Sequence, residues 1–473
     1  MRVNLLSASY SAQSLIANAQ RCINLYPEAN PPDAPAPTTF YHTPGSVVWT
    51  TITGSYGMRC LFKASNGVLY GVRGNKIHKY SSSVWTELAT LSTNTGVVSA
   101  ADNGVYAVFT DGSTTAPAIK LSDDSVTAMS GAGWYGSDFV KYLDGYLIFN
   151  RPGTQIFYIT GSLDLSLDVL DFASAEAFPD LLVAMEVDHR ELWLFGDETT
   201  EVFGNSGNAD FPFERINGSI IQMGCAAKHS VAKFDNSIVW LGKNENGGGI
   251  VWRAQGYTPV RLSTHAIENE FRTYSTIADA QAFVYQQNGH TFYVLTFPTA
   301  SKTWVFDAAS GLWHERAYRT ALNALERHRA NCHVFYDNMH LVGDYETGDI
   351  YELDLDTYTD DGDVIYRAKG FQHFVTDGKR QFFTSLELDM QTGVGNVDDA
   401  DPQVSLRWSD NGGHTWSATV LASIALGAAG EYGLKVKRNK LGSGRDRVFE
   451  VFTTAKTAVV LQGAFVNVIP GTA

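Results

Sequence analysis

His328, Cys332, His333 and His340 are the side chains whose types and closeness come nearest to a metal site. Imidazole and thiolate suit zinc, but a structural zinc site takes them in paired sets at fixed spacing, and no second pair follows. They are read as satisfied histidines or loop residues, and no metal is expected. Asp354, Asp356, Asp360, Asp361 and Asp363 invite calcium in the same way. The run lacks the alternating ligands around a glycine at the sixth position that a calcium loop needs, so a solvated interdomain loop is expected. No Gly-x-Ser-x-Gly elbow, phosphate loop or paired-glycine dinucleotide fingerprint occurs. The sequence therefore assigns no catalytic residue and no cofactor. Cys22, Cys60, Cys225 and Cys332 lie far apart without a CxxC pair, and are read as buried or free thiols of a reducing compartment.

The sharpest local motif is Ser409-Asp410-Asn411-Gly412-Gly413-His414-Thr415-Trp416, between two strand-like segments. It resembles the Asp-box turn of sialidases, with Asn411 in place of the motif's aspartate. In those families the box shapes a hairpin away from the active site. Ser409, Asn411, Gly413, Thr415 and Trp416 are accordingly read as a structural turn, because amide, hydroxyl and glycine all serve local backbone hydrogen bonds.

The elements that must position these residues are short strands. Val183, Met185 and Val187 alternate up to a turn at Asp188-His189-Arg190, and Leu192-Trp193-Leu194-Phe195 follows. The same grammar returns with Val231 and Phe234, the turn Asp235-Asn236-Ser237 and Ile238-Val239-Trp240-Leu241. Together with these two turns, signals at Asn66-Gly67, Asn103-Gly104, Asp144-Gly145, Asn288-Gly289 and Asp337-Asn338 form a series roughly 37 to 52 residues apart, the period of four-stranded propeller blades. The expected fold is all-β: a β-propeller of about seven blades, with six as the alternative, over residues 57–355. A short helix is expected near 264–275, where Ser263-Thr264 offers a cap and Ala266, Ile267, Phe271 and Tyr274 recur at helical spacing.

Residues 1–56 read as an extended N-terminal docking arm. Ser11 to Gln20 suggests a helical turn or two, and the Pro-rich stretch from Asn30 to Thr38 must be extended. Thr43 to Ile52 is a candidate strand for the last blade, which looks incomplete near Ile350-Tyr351-Glu352. Residues 364–473 lose the blade spacing and form a C-terminal antiparallel β-sandwich, with strands expected at Phe371 to Val375, Phe382 to Leu388, Val404 to Trp408, Thr415 to Leu421, Leu434 to Val436, Val448 to Thr453 and Ala458 to Val468.

Charge narrows the function. Lys plus Arg total 35 against 50 Asp plus Glu, a net of -15, the wrong balance for a protein that gathers phosphates. Met1 to Ser7 lacks the sustained apolar core of a signal peptide, and no run is long enough to span a membrane, so synthesis in the cytoplasm is expected.

Val260 to Glu268 through Arg272-Thr273-Tyr274, then His290 to Leu295 and Trp304 to Asp307, are similar to tail-hub or tail-nozzle proteins of short-tailed phages, also called packaged-DNA stabilisation proteins. Asn24-Leu25-Tyr26-Pro27-Glu28, Leu192 to Gly196 with Thr200 to Phe203, and Val448 to Val468 add to the resemblance. It implies a structural virion protein, not an enzyme, made in the host bacterial cytoplasm and built into the virion tail. Copies would form a homohexamer below the portal-adaptor ring, retain packaged DNA, mount tail fibres or spikes, meet a tail needle or plug, and let dsDNA pass through the lumen without sequence-specific binding. The alternatives are a glycan-active propeller enzyme of sialidase or glycosidase type, which needs clustered arginines and paired carboxylates in a central pocket, and a carbohydrate-binding propeller.

Overall fold

A computed structural model describes residues 2–3, 5, 8–15, 17–208, 210–243, 247–417 and 423–471. Continuous apolar runs make the inner strands: in Glu191–Gly196 the run Leu-Trp-Leu-Phe is buried throughout, because neighbouring blades cover both faces of each sheet. Seven four-stranded antiparallel sheets form the ring. Six are built from consecutive strands, spanning 58–90, 99–128, 140–174, 182–215, 232–261 and 281–319. The seventh takes Ala330–Tyr336, Met339–Asp344 and Asp349–Asp354 and is completed by Gly45–Thr51 from near the N-terminus, with Ile350 opposite Thr50 and Tyr351 opposite Val48. Its first strand packs on Met58–Lys63 of blade 1, which closes the circle.

The hairpin turns that mark the repeat share one backbone solution. In blades 3 to 7 the loop between the first two strands has two residues of positive φ: Asp144-Gly145, His189-Arg190, Asp235-Asn236, Asn288-Gly289 and Asp337-Asn338. Such turns match the right-handed twist of the strands they join, and Asn, Asp and Gly tolerate the conformation best. Close approach also demands glycine where the ring closes. A Cβ on Gly348 would lie 2.0 Å from the Ile52 carbonyl oxygen.

The helix His265–Arg272 crosses between blades 5 and 6, capped by the Thr264 side chain, which accepts from the Ile267 amide. It ends two residues before Tyr274, and Ile267 and Phe271 enter the core between the blades. Glu268 is buried in its first turn and is bound by Arg261 and Ser263.

Two sheets form the sandwich, and both include strands from the N-terminal segment. One runs in the order Val436–Asn439, Gln381–Met390, Val460–Pro470, Thr38–His42, Leu25–Ala29. The other runs Cys22–Ile23, Arg367–Gly370, Asp446–Thr453, Gln403–Ser409, Ser423–Ala425. Cys22–Ile23 also pairs in parallel with Leu312–Arg319, the outer strand of blade 6, so blade and sandwich share one continuous sheet. Val3, Leu5, Phe40, Phe383, Phe449 and Val466 meet in one sandwich core.

The structure differs from the sequence reading at three places. The described residues of Ser11 to Gln20 are not helical: Tyr10–Ser11 pairs with Ala19–Gln20. The Asn18 carbonyl and side-chain oxygens bind the amides of Ala12 and Gln20, which ties the ends of the stretch into a hairpin. The acidic run is not wholly solvated, because Thr359–Asp360 pairs with Ser46 and the Asp360 side chain is buried. Residues 415–417 form no strand, and the rest of the strand expected from Thr415 to Leu421 lies outside the described residues.

Candidate functional site

The first strand of every blade faces the propeller axis. Arg59, Ala100, Lys141, Glu186, Phe283 and Asn331 come from six different blades, and with His229, just ahead of blade 5, they line one central cavity of about 320 Å³. Its charges are matched locally. Lys141 Nζ lies 2.6 Å from Glu186, and Lys228 Nζ lies 2.7 Å from Asp138. Arg59, almost wholly buried, donates to the carbonyls of Gly74, Thr93 and Gly96. Burial pushes the imidazoles of His229 and His333 down to about 3, so both stay neutral at physiological pH. The carboxylate lining the cavity, Glu186, is held by Lys141, an arrangement unlike the pair of carboxylates flanking a scissile glycosidic bond.

At one mouth, a second cavity of about 390 Å³ is lined by Arg59, Arg327, Tyr345 and Glu346 among others. Arg327 lies 3.5 Å over the Tyr345 ring, and Arg329 is bound to Asp344, a carboxylate with no exposed surface. Desolvation opposes the charge of Arg329, but the Asp344 contact prevails and its pKa rises. These two arginines brace the seventh blade.

The four residues nearest to a metal site are dispersed by the fold. His328 is buried and accepts from the Ala330 amide, Cys332 packs against Met58, and His333 Nε2 lies 3.1 Å from His340 Nδ1. Among the described residues no three His, Cys, Asp or Glu side chains come together as a ligand set. The acidic run is divided among other tasks: Asp354 accepts from Asp356 and Thr357, Asp360 from Ser46, and Asp363 from the Tyr318 hydroxyl. Burial raises the pKa of Asp360, while Arg316 and Arg367 draw it back. Burial pushes the thiols of Cys22, Cys60 and Cys225 up to about 12, which holds them protonated.

The Asp-box-like turn is knitted by its own side chains. Ser409 Oγ accepts from the Gly413 amide at 2.8 Å, Asn411 Oδ1 accepts from the Thr415 amide at 2.8 Å, and Asn411 Nδ2 donates to Thr415 Oγ1 at 2.8 Å. Gly413 has φ +97°, and the Trp416 ring is covered by Arg407 at 4.8 Å. Asp410, which the motif leaves unspecified, anchors the turn. It takes two hydrogen bonds from Arg447, whose buried guanidinium also lies 4.5 Å from the centre of the Phe383 ring.

Buried polar side chains brace the junction of arm, blade 6 and sandwich. Asn24, with φ +51°, donates to the carbonyls of Ala317 and Tyr366 and accepts from the Ala317 amide. One side chain thus ties three parts of the chain together. Nearby, the fully buried Lys369 donates to the Ala8 carbonyl at 2.9 Å and lies 4.9 Å from the centre of the Phe40 ring. His290 of blade 6 binds Asp307 at 2.9 Å and faces Glu28 of the arm at 3.8 Å. Sequence reasoning missed these residues as a site. The one signal was Asn24 itself, a residue type tolerant of positive φ just before an extended Tyr-Pro.

Two family models match the chain: bacteriophage P22 Gp10, beta-propeller, over residues 1–358, and bacteriophage P22 Gp10, beta-sandwich, over residues 370–469. No curated protein matches. Among solved structures, the chain is similar to the WD40 beta propeller domain of Doa1 at 12% identity and a TM-score of 0.41, covering 65% of this chain and 96% of that one.

Proposed function

Because the chain belongs to the family of bacteriophage P22 Gp10, we propose that it is a structural protein of a short-tailed phage's tail, a nozzle or hub rather than an enzyme. Six copies form a ring that continues the DNA channel below the portal-adaptor ring, retains packaged DNA and passes it during ejection. The outer surface mounts tail fibres or spikes, and a needle or plug closes the far end. The protein is made in the host cytoplasm and ends in the virion tail.

The observation that carries this reading is the family match over both the propeller and the sandwich. The geometry supports a ring of copies as the conduit. A cavity of about 320 Å³ at the propeller axis has no room for a duplex whose major groove alone is about 12 Å wide. DNA passing this protein must therefore run between copies. The net charge of -15 suits such a wall, since an acidic lining repels phosphate instead of retaining it.

The test is the mass of the purified protein in solution, alone and mixed with portal and adaptor assemblies of its phage. The expected result is a ring of six seated on that assembly. A chain that stays monomeric and ignores the assembly would refute the nozzle reading.

A further inference from the structure

The charge of this chain is unevenly placed. Residues 371–473 carry ten Lys plus Arg and ten Asp plus Glu, so the whole net of -15 falls on residues 1–370. Within the neutral sandwich four of the ten cations gather at one corner, beside the exposed Asp377. Gln381–Met390 begins there, paired through Phe382 with Ser443 and through Leu386 with Arg438, and Val460–Pro470 ends there with Ile469 opposite Phe382. Arg380 donates to Ser443, Arg445 donates to the Gly378 carbonyl, and the Lys440 amide donates to the Thr384 carbonyl, which brings these residues together with Lys379. Lys379, Arg380, Lys440 and Arg445 are exposed, and among the described residues none of the four makes an ion pair. Between them Phe382 is 47% and Ile469 56% exposed.

The complementary surface lies on blade 3. Residues 161–181, around the outer strand Phe172–Ser174, contain five carboxylates and no Lys, Arg or His. Asp164, Asp168 and Glu176 are exposed, and Leu163, Leu170 and Phe172 expose 51%, 76% and 45% of their surface beside them. Large apolar side chains rimmed by charge mark an interaction surface, and the two patches carry opposite rims.

They cannot meet within one molecule. The sandwich is fused to blade 6 through Leu312–Arg319, and in a ring of seven blade 3 lies across the axis from it. A patch on one end that fits a patch on the other makes a head-to-tail contact, and such contacts close into rings when the rotation permits.

We propose that the basic, apolar corner of the sandwich of one copy docks on the acidic, apolar outer edge of blade 3 of the next, a contact that rests on the nozzle reading and names its subunit interface. Phe382 and Ile469 fill the centre against Leu170 and Phe172, and the four cations face Asp164, Asp168 and Glu176 around the rim. A polyanion such as DNA would engage the cations and leave the apolar side chains exposed, so the apolar centre favours protein. The acidic rim of blade 3 favours a second copy of this chain.

The experiment uses the full chain. A mixture of isotopically heavy and light protein is treated with a carbodiimide, which joins lysine to a carboxylate in direct contact, and heavy-light links are read by mass spectrometry. The expected links join Lys379 or Lys440 to Asp164, Asp168 or Glu176 of another copy. Two variants then separate the faces: Arg380→Glu with Arg445→Glu, and Asp168→Lys with Glu176→Lys. Each alone should associate at least roughly tenfold more weakly than wild type, and an equal mixture of the two should recover, because opposite signs again face each other. Heavy-light links absent from these residues, wild-type association by either variant alone, or cations that retard DNA without forming the links would each overturn the proposal. Wild-type seating on the portal-adaptor assembly is read separately. Variants that seat as complete rings sink this interface and leave the nozzle reading standing, whereas a wild type that does not seat sinks the nozzle reading.

Discussion

The ammonium of Lys369 is buried without exposed surface, beside Cys22, under Phe40 and against the Ala8 carbonyl, at the point where the first twenty residues cross the sandwich. Desolvation lowers its pKa from 10.5 to about 8. Between those values the unfolded chain holds a proton that the folded chain has released, so stability must rise with pH across that window. The cost of the buried charge is fully present below about 8 and is relieved as pH climbs toward 10.5. Shifted by that much, a single group changes the unfolding free energy by roughly 2 to 3 kcal/mol between pH 7 and 10.

Lys369→Met keeps an unbranched side chain, one atom shorter, and removes the charge. At pH 7 the variant escapes the burial cost but leaves the Ala8 carbonyl without this donor, a loss of about 1 to 3 kcal/mol. The two nearly offset each other, and the variant should match wild type or exceed it slightly. At pH 10 the wild type has recovered its penalty, and the variant should be the less stable by roughly 2 kcal/mol. Chemical denaturation of both proteins at several pH values measures the difference directly. Tyrosines and other lysines, which titrate in the same range, cancel in the comparison. A difference that stays constant from pH 7 to 10 would refute the reasoning, because it would mean that Lys369 titrates alike in the folded and unfolded chains.

Three further outcomes are expected. His290 is held above its ordinary value chiefly by its hydrogen bond to Asp307, with desolvation opposing. Its contribution is therefore complete below pH 6.5 and is lost as pH rises through the raised value. Thermal denaturation should find wild type ahead of His290→Gln at pH 5.5 by more than at pH 8.5, with hydrogen exchange in Leu25–Ala29 following the same trend; equal gaps at both pH values would exclude the role. Asp410→Ala should destabilise the sandwich by about 1 to 3 kcal/mol in urea titration, less than a fully buried pair, because the Asp410 side chain is 44% exposed while Arg447 is buried. Trp49→Ala removes a half-buried ring lying 4.7 Å from Tyr80 of blade 1 and 6.1 Å from Tyr336 of blade 7. It should cost roughly 2 kcal/mol in the same assay, and an unchanged midpoint would show that the closing strand does not brace these blades.

The repeat was legible because propeller blades are local. Each strand pairs with its sequence neighbour, and Asn288-Gly289 or Asp235-Asn236 announces the hairpin through a backbone conformation that few residue types accept. The Asp-box-like turn was legible for the same reason, since Ser409, Asn411, Gly413 and Thr415 bond to one another within a few positions. The helix was readable from Thr264 and the spacing of Ile267 and Phe271. In contrast, nothing in the sequence near Cys22 and Ile23 signals that this two-residue strand joins a propeller blade to a sandwich sheet.

The sequence by itself determined the all-β class, the repeating hairpins, the sandwich-like pattern of the C-terminal part and the net acidity. These follow from periodicity, turn chemistry and composition, which act over a few residues or over the whole chain. Only the tertiary structure decided that the arm belongs to both domains, that Asn24 and Lys369 are its clasps, and that the exposed cations of one sandwich corner lie across the ring from the acidic edge of blade 3. Those relations pair residues hundreds of positions apart. Burial and charge at such contacts depend on which surfaces the fold brings together, and no local pattern encodes that.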